Sequence, residues 1–203
     1  MKIRPLAIQG AFEVTPVQHA DTRGAFLEWY RFDALAAAVG HPLDLRQANL
    51  STSARDVVRG IHFADLPPSQ AKYVTCVSGA VLDVVVDIRV GSPTFGTWEA
   101  VRLDDEDRRA VYLAEGLGHA FCALTEGATV SYLCSSTYRP GHEHGIDPLD
   151  RELDIAWPAR TPLLSTKDAE APSLTEARAA GLLPQYDACV AFTESLSAGH
   201  GRI

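Results

Sequence analysis

The sequence lacks the features that define several classes of protein. No apolar run approaches the roughly 18 residues that a membrane-spanning helix needs, and the N-terminus has no signal-peptide core. The chain contains neither a Gly-x-Gly-x-x-Gly motif nor a Walker loop. Its 18 Lys and Arg residues are outnumbered by 26 Asp and Glu residues, so that the net charge is −8. We therefore expect a cytoplasmic protein that binds neither nucleic acid nor a membrane, although this charge allows a local basic pocket.

Cysteine is scarce, and the four cysteines lie far apart, at Cys76, Cys122, Cys134 and Cys189. They form no Cys-x-x-Cys pair, and three of them lie within apolar, strand-like runs. This distribution favours buried free thiols in a reducing compartment over disulfides or zinc ligands.

The chain is rich in short, β-branched runs separated by glycine and proline. The most strand-like run covers residues 81–88, and its apolar density predicts burial on both faces apart from Asp83 and Asp87. About ten such runs, spaced by roughly 8–12 residues, predict an all-β sandwich or barrel. With 46% hydrophobic and 22% charged residues, the 203 residues suit one domain, which we place at 1–203.

Helical patterns are few and peripheral. A short helix is predicted over residues 34–39, with Asp33 as its cap and Gly40 at its end. Ser173-Leu-Thr-Glu176 is a capping box and predicts a helix that ends at Gly181. From about residue 195 to 203 the residues are small or polar, which predicts a frayed tail.

One stretch, residues 57–72, concentrates groups that can bind and react. Two valines lead into Arg59, His62 follows in a strand-like run, and Lys72 opens the next strand after a polar loop with two prolines. A guanidinium, an imidazole and an ammonium on neighbouring strands suit an anionic ligand and proton transfer. The alternative interpretation is a surface hairpin with ordinary charges.

The side chains that could transfer protons are His62, His119, Tyr132, Tyr138 and Asp168. A neutral histidine is a natural base because its ordinary pKa, about 6.5, lies close to the operating pH. A tyrosine, with an ordinary pKa near 10, stays protonated and can act as an acid. The neighbouring basic residues favour His62, whereas the pattern alone favours a core aromatic residue at position 132.

A metal site is the other possibility, since jelly-roll barrels often hold a metal through a His-x-His pair, a Glu and a later His. After Gly60 there is only His62, with no second histidine two residues further on. His142-Glu143-His144 has the spacing but lies in a polar loop bounded by proline and glycine. We therefore expect no metal and no other cofactor.

Longer motifs cover nearly the whole chain. The most specific are Val58-Arg-Gly-Ile-His62 and Gly91-Ser-Pro-Thr-Phe-Gly96, and the others are Asp21-Thr-Arg-Gly-Ala-Phe-Leu-Glu28, Gln47-Ala-Asn49, Gln70-Ala-Lys72, Glu115-Gly-Leu-Gly-His-Ala-Phe121 and Leu164-Ser-Thr-Lys-Asp168. With these motifs the sequence resembles the dTDP-4-dehydrorhamnose 3,5-epimerase family, metal-free cupins that act on dTDP-4-keto-6-deoxy sugars. The resemblance implies an all-β jelly-roll barrel with short peripheral and C-terminal helices, and an epimerase that needs no cofactor.

The resemblance also implies catalytic roles. His62 is the general base, and Asp168 pairs with its far nitrogen, which fixes the tautomer and stabilises the imidazolium. Tyr132 returns a proton to the opposite face of the sugar ring. Lys72 lies at the C4 ketone oxygen, where negative charge develops as the enolate forms. A base and an acid on opposite faces give inversion, whereas one residue in both roles tends to restore the original configuration.

Substrate binding is assigned by the same resemblance. Basic side chains address the diphosphate, polar ones hydrogen-bond the nucleotide or sugar, and an aromatic ring stacks on thymine. The expected binding residues are Arg23, Phe26, Glu28, Gln47, Asn49, Arg59, Lys72, His119, Tyr138, Glu143 and Lys167. Because the family forms homodimers by strand exchange near the N-terminus, we expect a homodimer.

The sequence departs from the usual family motifs at two places. Phe63-Ala64 stands where the family commonly has an aromatic residue and Gln, and Leu117, Gly118 and Ala120 alter the motif around His119. These changes leave the number of inverted centres open. We expect inversion at C3 and C5. The alternatives are a single-centre epimerase of an antibiotic-sugar pathway, an isomerase that moves the ketone to C3, and a catalytically silent dTDP-sugar binding module.

Overall fold

Antiparallel strands make up most of the regular secondary structure of the computed structural model, which describes residues 1–67 and 69–200. The strands are β1 (Lys2–Pro5), β2 (Ala11–Thr15), β3 (Gln18–Asp21), β4 (Gly24–Leu27), β5 (Gln47–Ser53), β6 (Val58–Ala64), β7 (Lys72–Ser78), β8 (Ala80–Val86), β9 (Trp98–Asp104), β10 (Ala110–Leu113), β11 (Gly118–Ala123), β12 (Ala128–Cys134) and β13 (Glu143–Gly145). The helices are α1 (Phe32–Val39), α2 (Thr166–Ala169), α3 (Leu174–Ala179) and α4 (Tyr186–His200).

Two large sheets form the body of the fold. One has the strand order β1-β2-β10-β7-β12-β5 and the other the order β13-β6-β11-β8-β9, while β3 and β4 form a separate two-stranded hairpin. Strands distant in sequence lie next to each other, as in a double-sheet jelly roll. The predicted all-β jelly roll with peripheral and C-terminal helices is therefore confirmed.

The inner faces of the two sheets share one apolar core. Val74, Cys76 and Val130 project from the six-stranded sheet, and Val85 and Phe121 project from the five-stranded sheet, all at most 5% exposed. Because side chains alternate along a strand, every second residue of these runs faces inwards. Towards one end of this interior the inward-facing positions become polar, and the candidate site lies there.

Asp83 and Asp87, the two carboxylates within residues 81–88, are both buried. The prediction that these two side chains are exceptions to the burial of this run is therefore wrong. Asp87 is 0% exposed and accepts a hydrogen bond of 2.8 Å from the Arg89 Nε and bonds of 2.6 Å from the hydroxyls of Ser92 and Thr94. Asp83 is 1% exposed and faces the interior. Their hydrogen-bond partners offset the desolvation of the charges, which the one-dimensional pattern could not reveal.

The helices cover the outer faces of the sheets. Leu35 of α1 packs with Tyr112 on the six-stranded sheet, and Leu174 of α3 packs on the five-stranded sheet. Helix α1 ends at Gly40, as predicted, with φ 95°. The prediction that Asp33 caps it is wrong, because α1 begins at Phe32 and Asp33 lies in its first turn.

The capping box of α3 is confirmed: the Ser173 hydroxyl accepts from the Glu176 N–H, and the Glu176 carboxylate accepts from the Ser173 N–H. The final helix, α4, extends to His200, past the point where the sequence places the start of a frayed tail. Residues 201–203 of that tail lie outside the described residues.

All four cysteines are free and buried, as predicted. Within the described ranges, no helix combines the length and apolarity needed to cross a membrane. That the chain is one domain stays a prediction.

Candidate active site

A polar cavity of about 280 Å³ opens at one end of the interior between the two large sheets. Strands β5, β6, β7, β12 and β13 contribute to its wall. The lining residues are Gln47, Asn49, Leu50, His62, Gln70, Lys72, Tyr132, Tyr138 and Glu143. Seven of these nine were predicted from the sequence, so half of the 14 predicted site residues line one cavity.

A histidine–aspartate pair forms one wall of the cavity. His62 of β6 lies with its Nε2 2.6 Å from the Oδ1 of Asp168 in α2. The Asp168 N–H donates to the hydroxyl of Ser165, the residue that caps α2, which fixes the carboxylate behind the imidazole. The side chain of Asp168 is 5% exposed and that of His62 is 35% exposed. The imidazole thus reaches the cavity while its partner is shielded from water.

The protonation state of Asp168 determines which nitrogen of His62 is free. Burial alone raises the pKa of Asp168, but hydrogen bonding and charge attraction from His62 outweigh it and hold the pKa below the ordinary 3.8. The ionised carboxylate can only accept, so Nε2 of His62 carries the donated proton. In the neutral ring Nδ1 then has the lone pair, which is the state of a general base.

Glycine at position 60 sets the path of β6 beside His62. Gly60 has φ 127°, and a Cβ at this position would overlap the Cβ of Ala120 and lie 2.7 Å from the carbonyl oxygen of His119. Only glycine allows both this conformation and this approach of β6 to β11. The glycine of the Arg-Gly-Ile-His sequence is therefore required by local geometry.

Tyr132 and Lys72 face the histidine from the other sheet. In the register of β12 and β7, Tyr132 pairs with Val74 and Cys134 pairs with Lys72, so that the tyrosine and the lysine share the inner face. Burial raises the pKa of Tyr132, and the phenol therefore keeps its proton at neutral pH. A proton acceptor on one sheet thus faces a proton donor on the other.

Lys72 carries a charge that the protein leaves available. Burial lowers its pKa from 10.5, and the nearby acidic groups Cys134, Glu143 and Asp83 oppose this effect when they are ionised. Among residues 1–67 and 69–200 its ammonium has no hydrogen-bond or ion-pair partner. It is therefore free to bind a negatively charged or strongly polarised oxygen of a guest molecule.

The family model for dTDP-4-dehydrorhamnose 3,5-epimerase matches residues 5–176. The chain belongs to this family. It is 64% identical to a dTDP-4-dehydrorhamnose 3-epimerase of Streptomyces niveus, over 95% of the chain and 93% of that relative. It is 59% identical to a dTDP-4-dehydrorhamnose 3,5-epimerase of Mycolicibacterium smegmatis, over 97% of each. The crystal structure of a 3′-monoepimerase from Streptomyces bikiniensis in complex with dTDP-quinovose has a TM-score of 0.93 and 50% identity, covering 96% of this chain and 98% of that one.

Three residues expected to bind the substrate in an epimerase of this family lie away from the cavity. Arg23 and Phe26 belong to the β3–β4 hairpin, and Glu28 follows it. The Arg23 side chain is 88% exposed and pairs with Asp21, and Phe26 is 68% exposed. Within one copy of the chain, the structure does not bring these three residues to the His62 wall.

Two further basic residues lie beside the cavity, on β6 and β11. Arg59 donates to the Ser53 hydroxyl at 3.0 Å. His119 pairs in register with His62, is 7% exposed, and contacts the Oδ2 of Asp83 through Nε2 at 2.8 Å. Both residues border the wall formed by His62 and Asp168 without lining the cavity itself.

The polar residues predicted to hold the nucleotide sugar are linked to each other. The N–H of Tyr138 donates to Gln47 Oε1 at 2.8 Å, and Gln47 Nε2 donates to Asn49 Oδ1 at 2.9 Å. Glu143 enters the cavity from β13. Lys167 is exposed on α2, directly before Asp168.

Three residues that shape the site were not predicted from the sequence. Gln70 and Leu50 line the cavity, and Asp83 lies buried inside the barrel with its Oδ1 unpaired among the described residues. The spacing of two residues between Gln70 and Lys72 is the sequence pattern that could have identified Gln70. A lone aspartate inside an apolar strand was the signal for Asp83.

The His142-x-His144 pair serves a different contact. Both imidazoles hydrogen-bond the carboxylate of Asp65, at 3.0 Å and 2.7 Å, which holds β13 against β6 beside Glu143. In the part of the chain that the structure describes, no group of three or more His, Cys, Asp or Glu residues is arranged to hold a metal ion.

Proposed function

We propose that the protein is a cofactor-independent epimerase that inverts C3 and C5 of a dTDP-4-keto-6-deoxyhexose. The observation that carries the proposal is the His62–Asp168 pair facing Tyr132 across a polar cavity that also holds Lys72. The names of the relatives, which include 3- and 3,5-epimerases of dTDP-4-dehydrorhamnose, support it. A solved relative that binds dTDP-quinovose supports a dTDP-sugar as the ligand.

The first step is removal of the proton on C3. That hydrogen is acidic because C3 adjoins the C4 ketone. Nδ1 of His62 takes the proton, the C3–H electron pair forms the C3–C4 double bond, and the carbonyl electrons move to the C4 oxygen. Asp168 stabilises the imidazolium, and the Lys72 ammonium donates to the enolate oxygen. Such preorganised charge stabilisation is usually the largest catalytic contribution, about 3 kcal/mol for a single donor.

The second step returns a proton to the opposite face. The Tyr132 hydroxyl donates to C3, the ketone re-forms, and the proton taken by His62 is lost to solvent. The phenolate that remains is stabilised by the nearby charge of Arg59 and by Asn49, both of which lower the pKa of Tyr132 against the larger effect of burial. Once the Tyr132 phenolate has taken a proton back from solvent, the same sequence at C5, which also adjoins the ketone, completes the reaction.

Substrate binding follows from the surroundings of the cavity. In this proposal Gln47, Asn49 and Glu143 hydrogen-bond the sugar or nucleotide, and Tyr138, which is 57% exposed at the rim, stacks on thymine. The cationic residues that address the diphosphate are Arg59, His119 and Lys167.

We further propose a homodimer in which the hairpin of the second copy completes the site. Arg23, Phe26 and Glu28 lie outside the cavity of their own chain, and Phe26 is a large exposed apolar ring on a two-stranded hairpin. Strand β5, which lines the cavity, is the edge of the six-stranded sheet and can accept another strand. A two-fold dimer would place each hairpin at the other copy's cavity.

Mixing two inactive variants tests this shared site. His62→Ala and Arg23→Ala are purified, mixed in equal amounts and allowed to exchange subunits. Hybrid dimers then contain one intact site, so about one quarter of the wild-type sites should be restored. No recovery in a mixture that mass spectrometry shows to contain hybrid dimers would contradict a shared site, although the epimerase proposal would stand.

The reaction is tested by incubating the protein with dTDP-4-keto-6-deoxyglucose in deuterated water. NMR should show deuterium at C3 and at C5 together with the doubly inverted product. If the purified protein catalyses no exchange at either carbon, the epimerase proposal fails, and dTDP binding without exchange would identify a silent binding module.

A single-centre 3-epimerase is the second candidate function. The observation that favours it is the 64% identity to a relative named as a 3-epimerase. In this case deuterium appears at C3 alone, and C5 keeps its hydrogen and its configuration. A product whose ketone has moved to C3 would instead identify a keto-isomerase.

A further inference from the structure

One carboxylate and two imidazoles lie together where β6 ends and β13 begins. Asp65, directly after β6, accepts at Oδ2 from Nδ1 of His142 at 3.0 Å and at Oδ1 from Nε2 of His144 at 2.7 Å. We call these three residues the histidine clasp. Their side chains are 35%, 48% and 22% exposed, and none of the three lines the cavity of the candidate active site.

The charge of Asp65 fixes which ring nitrogens carry protons in the clasp. Burial alone raises the pKa of Asp65, but hydrogen bonds and charge attraction from His142 and His144 outweigh it and hold the pKa below the ordinary 3.8. The ionised carboxylate can only accept, so each ring turns an N–H to it. A single carboxylate therefore fixes two side chains that are two residues apart in the chain.

Strand β13 is short, and its own backbone bonds hold it weakly. It has three residues, whereas strands average about 5–6, and it pairs only with β6 at the edge of the five-stranded sheet. Short segments at an edge are among the first parts of a protein to open. The Asp65 N–H donates to the His142 carbonyl at 3.0 Å, so the clasp adds two side-chain bonds at this end of the ladder.

The strand that the clasp holds carries a residue of the candidate active site. Glu143 and His144 are consecutive, so their side chains project from opposite faces of β13. His144 contacts the ring of Phe63, which is buried in the core outside the cavity, and Glu143 lines the cavity. Five residues before Glu143, the N–H of Tyr138 donates to Gln47 of β5. This rim segment is thus tied to one sheet at Tyr138 and to the other by the clasp.

We propose that Asp65 is a positioning residue for substrate binding, which holds β13 through His142 and His144 and so places Glu143 for its bond to the substrate. The inference rests on the proposed function, in which Glu143 hydrogen-bonds the sugar or nucleotide. Among residues 1–67 and 69–200, no hydrogen bond or ion pair fixes the Glu143 side chain itself. The position of its carboxylate therefore depends on the backbone of β13, which the clasp holds.

Steady-state kinetics with dTDP-4-keto-6-deoxyglucose measures the effect on binding. Asp65→Ala removes both clasp bonds, and KM should rise by about 3- to 10-fold, the factor for one net hydrogen bond lost from the complex. The kcat should stay close to the wild-type value, because the proposed base and acid are unchanged. His142→Ala removes one clasp bond and should raise KM less. An unchanged KM in folded Asp65→Ala, or a fall in kcat alone, would overturn the proposal.

Asp187→Ala is the matched control, since it makes the same change at an exposed residue in the first turn of α4. It should leave both KM and kcat at the wild-type values. A rise in KM equal to that of Asp65→Ala would mean that the loss of any surface carboxylate weakens binding, and the proposal would fail.

A double variant shows whether Asp65 acts through Glu143. Glu143→Ala removes the positioned carboxylate and should itself raise KM. Adding Asp65→Ala to this variant should then raise KM no further, because residues that act as one unit are not additive. If the two increases multiply, Asp65 does not act through Glu143 and the proposal is wrong.

Hydrogen exchange followed by mass spectrometry measures the clasp without substrate. In Asp65→Ala, peptides that cover residues 142–146 should exchange faster than in the wild type, whereas peptides from β8 and β11 should keep their rates. Equal exchange at residues 142–146 in the two proteins would overturn the inference while leaving the epimerase proposal intact. An inactive wild-type protein would refute the epimerase proposal instead.

Discussion

The substitution Asp168→Asn tests the protonation state and the role proposed for His62. Asp168 holds Nε2 of His62 at 2.6 Å through an ionised, buried carboxylate, which leaves the lone pair on Nδ1. An asparagine of the same shape removes the charge that stabilises the imidazolium, and its NH₂ group can donate to Nε2. That donation places the ring proton on Nδ1, where the base must be free.

The magnitude follows from the type of bond that is lost. A hydrogen bond to a charged group contributes about 1.5–3 kcal/mol. If the transition state loses this amount, the rate of proton removal falls by about 10- to 150-fold. His62 is partly exposed, so water replaces some of the lost stabilisation and the fall should not reach the 10⁴-fold order seen for a fully enclosed triad.

The assay is the initial rate of deuterium incorporation at C3 in deuterated water, followed by NMR. The kcat should fall, while the affinity for dTDP changes little because Asp168 does not line the cavity. Glu170→Gln, the same carboxylate-to-amide change at an exposed position two residues further on, is the matched control and should behave as the wild type. A folded Asp168→Asn variant that exchanges C3 within twofold of the wild-type rate would refute the proposed role of the pair.

Three further outcomes are expected. Tyr132→Phe should retain part of the deuterium exchange while forming epimer far more slowly, since the base remains and the acid is lost; equal, complete loss of both would mean that Tyr132 does more than donate. In the pH profile of kcat/KM, the loss of activity at alkaline pH should have its midpoint below pH 10.5, because burial lowers the pKa of Lys72 and deprotonation removes the charge at the ketone oxygen. In Lys72→Arg this midpoint should move to higher pH. An unchanged midpoint would mean that another group causes the alkaline loss. Gly60→Ala should lower the free energy of unfolding by about 3 kcal/mol, measured by denaturant titration, against about 1–2 kcal/mol for Gly91→Ala.

The two glycine variants form a matched pair. Both positions have positive φ, at 127° and 91°, but a Cβ at Gly60 overlaps Ala120 and a Cβ at Gly91 meets nothing within 4 Å. The difference between the two variants therefore measures the close approach of β6 and β11. Equal losses of unfolding free energy in the two variants would mean that the positive φ alone causes the destabilisation.

The sequence was most informative where side chains alternate along a strand. Period two places Gln47 and Asn49 on one face of β5, and both line the cavity. Likewise, the run at residues 81–88 is buried on both faces. Its buried carboxylates were misjudged because the partners of Asp87 lie in the following loop and the partner of Asp83 lies on β11, so that no periodic pattern of this run reveals them.

Long-range contacts within the site depended on the resemblance to the family. His62 and Asp168 are separated by 106 positions, and Asp168 lies in a four-residue helix that has no amphipathic pattern of its own. The family motif predicted that pairing, and the local sequence could not. The hairpin residues Arg23 and Phe26 show the opposite limit, because the role proposed for them requires a second copy of the chain.

The most direct test of the central claim compares the wild-type protein with His62→Ala in deuterated water, with dTDP-4-keto-6-deoxyglucose as substrate. His62 is proposed as the only base, so the variant should incorporate no deuterium at C3 or C5 while its affinity for dTDP stays close to that of the wild type. Exchange at a near-normal rate in the variant would contradict the account and assign the base to another residue.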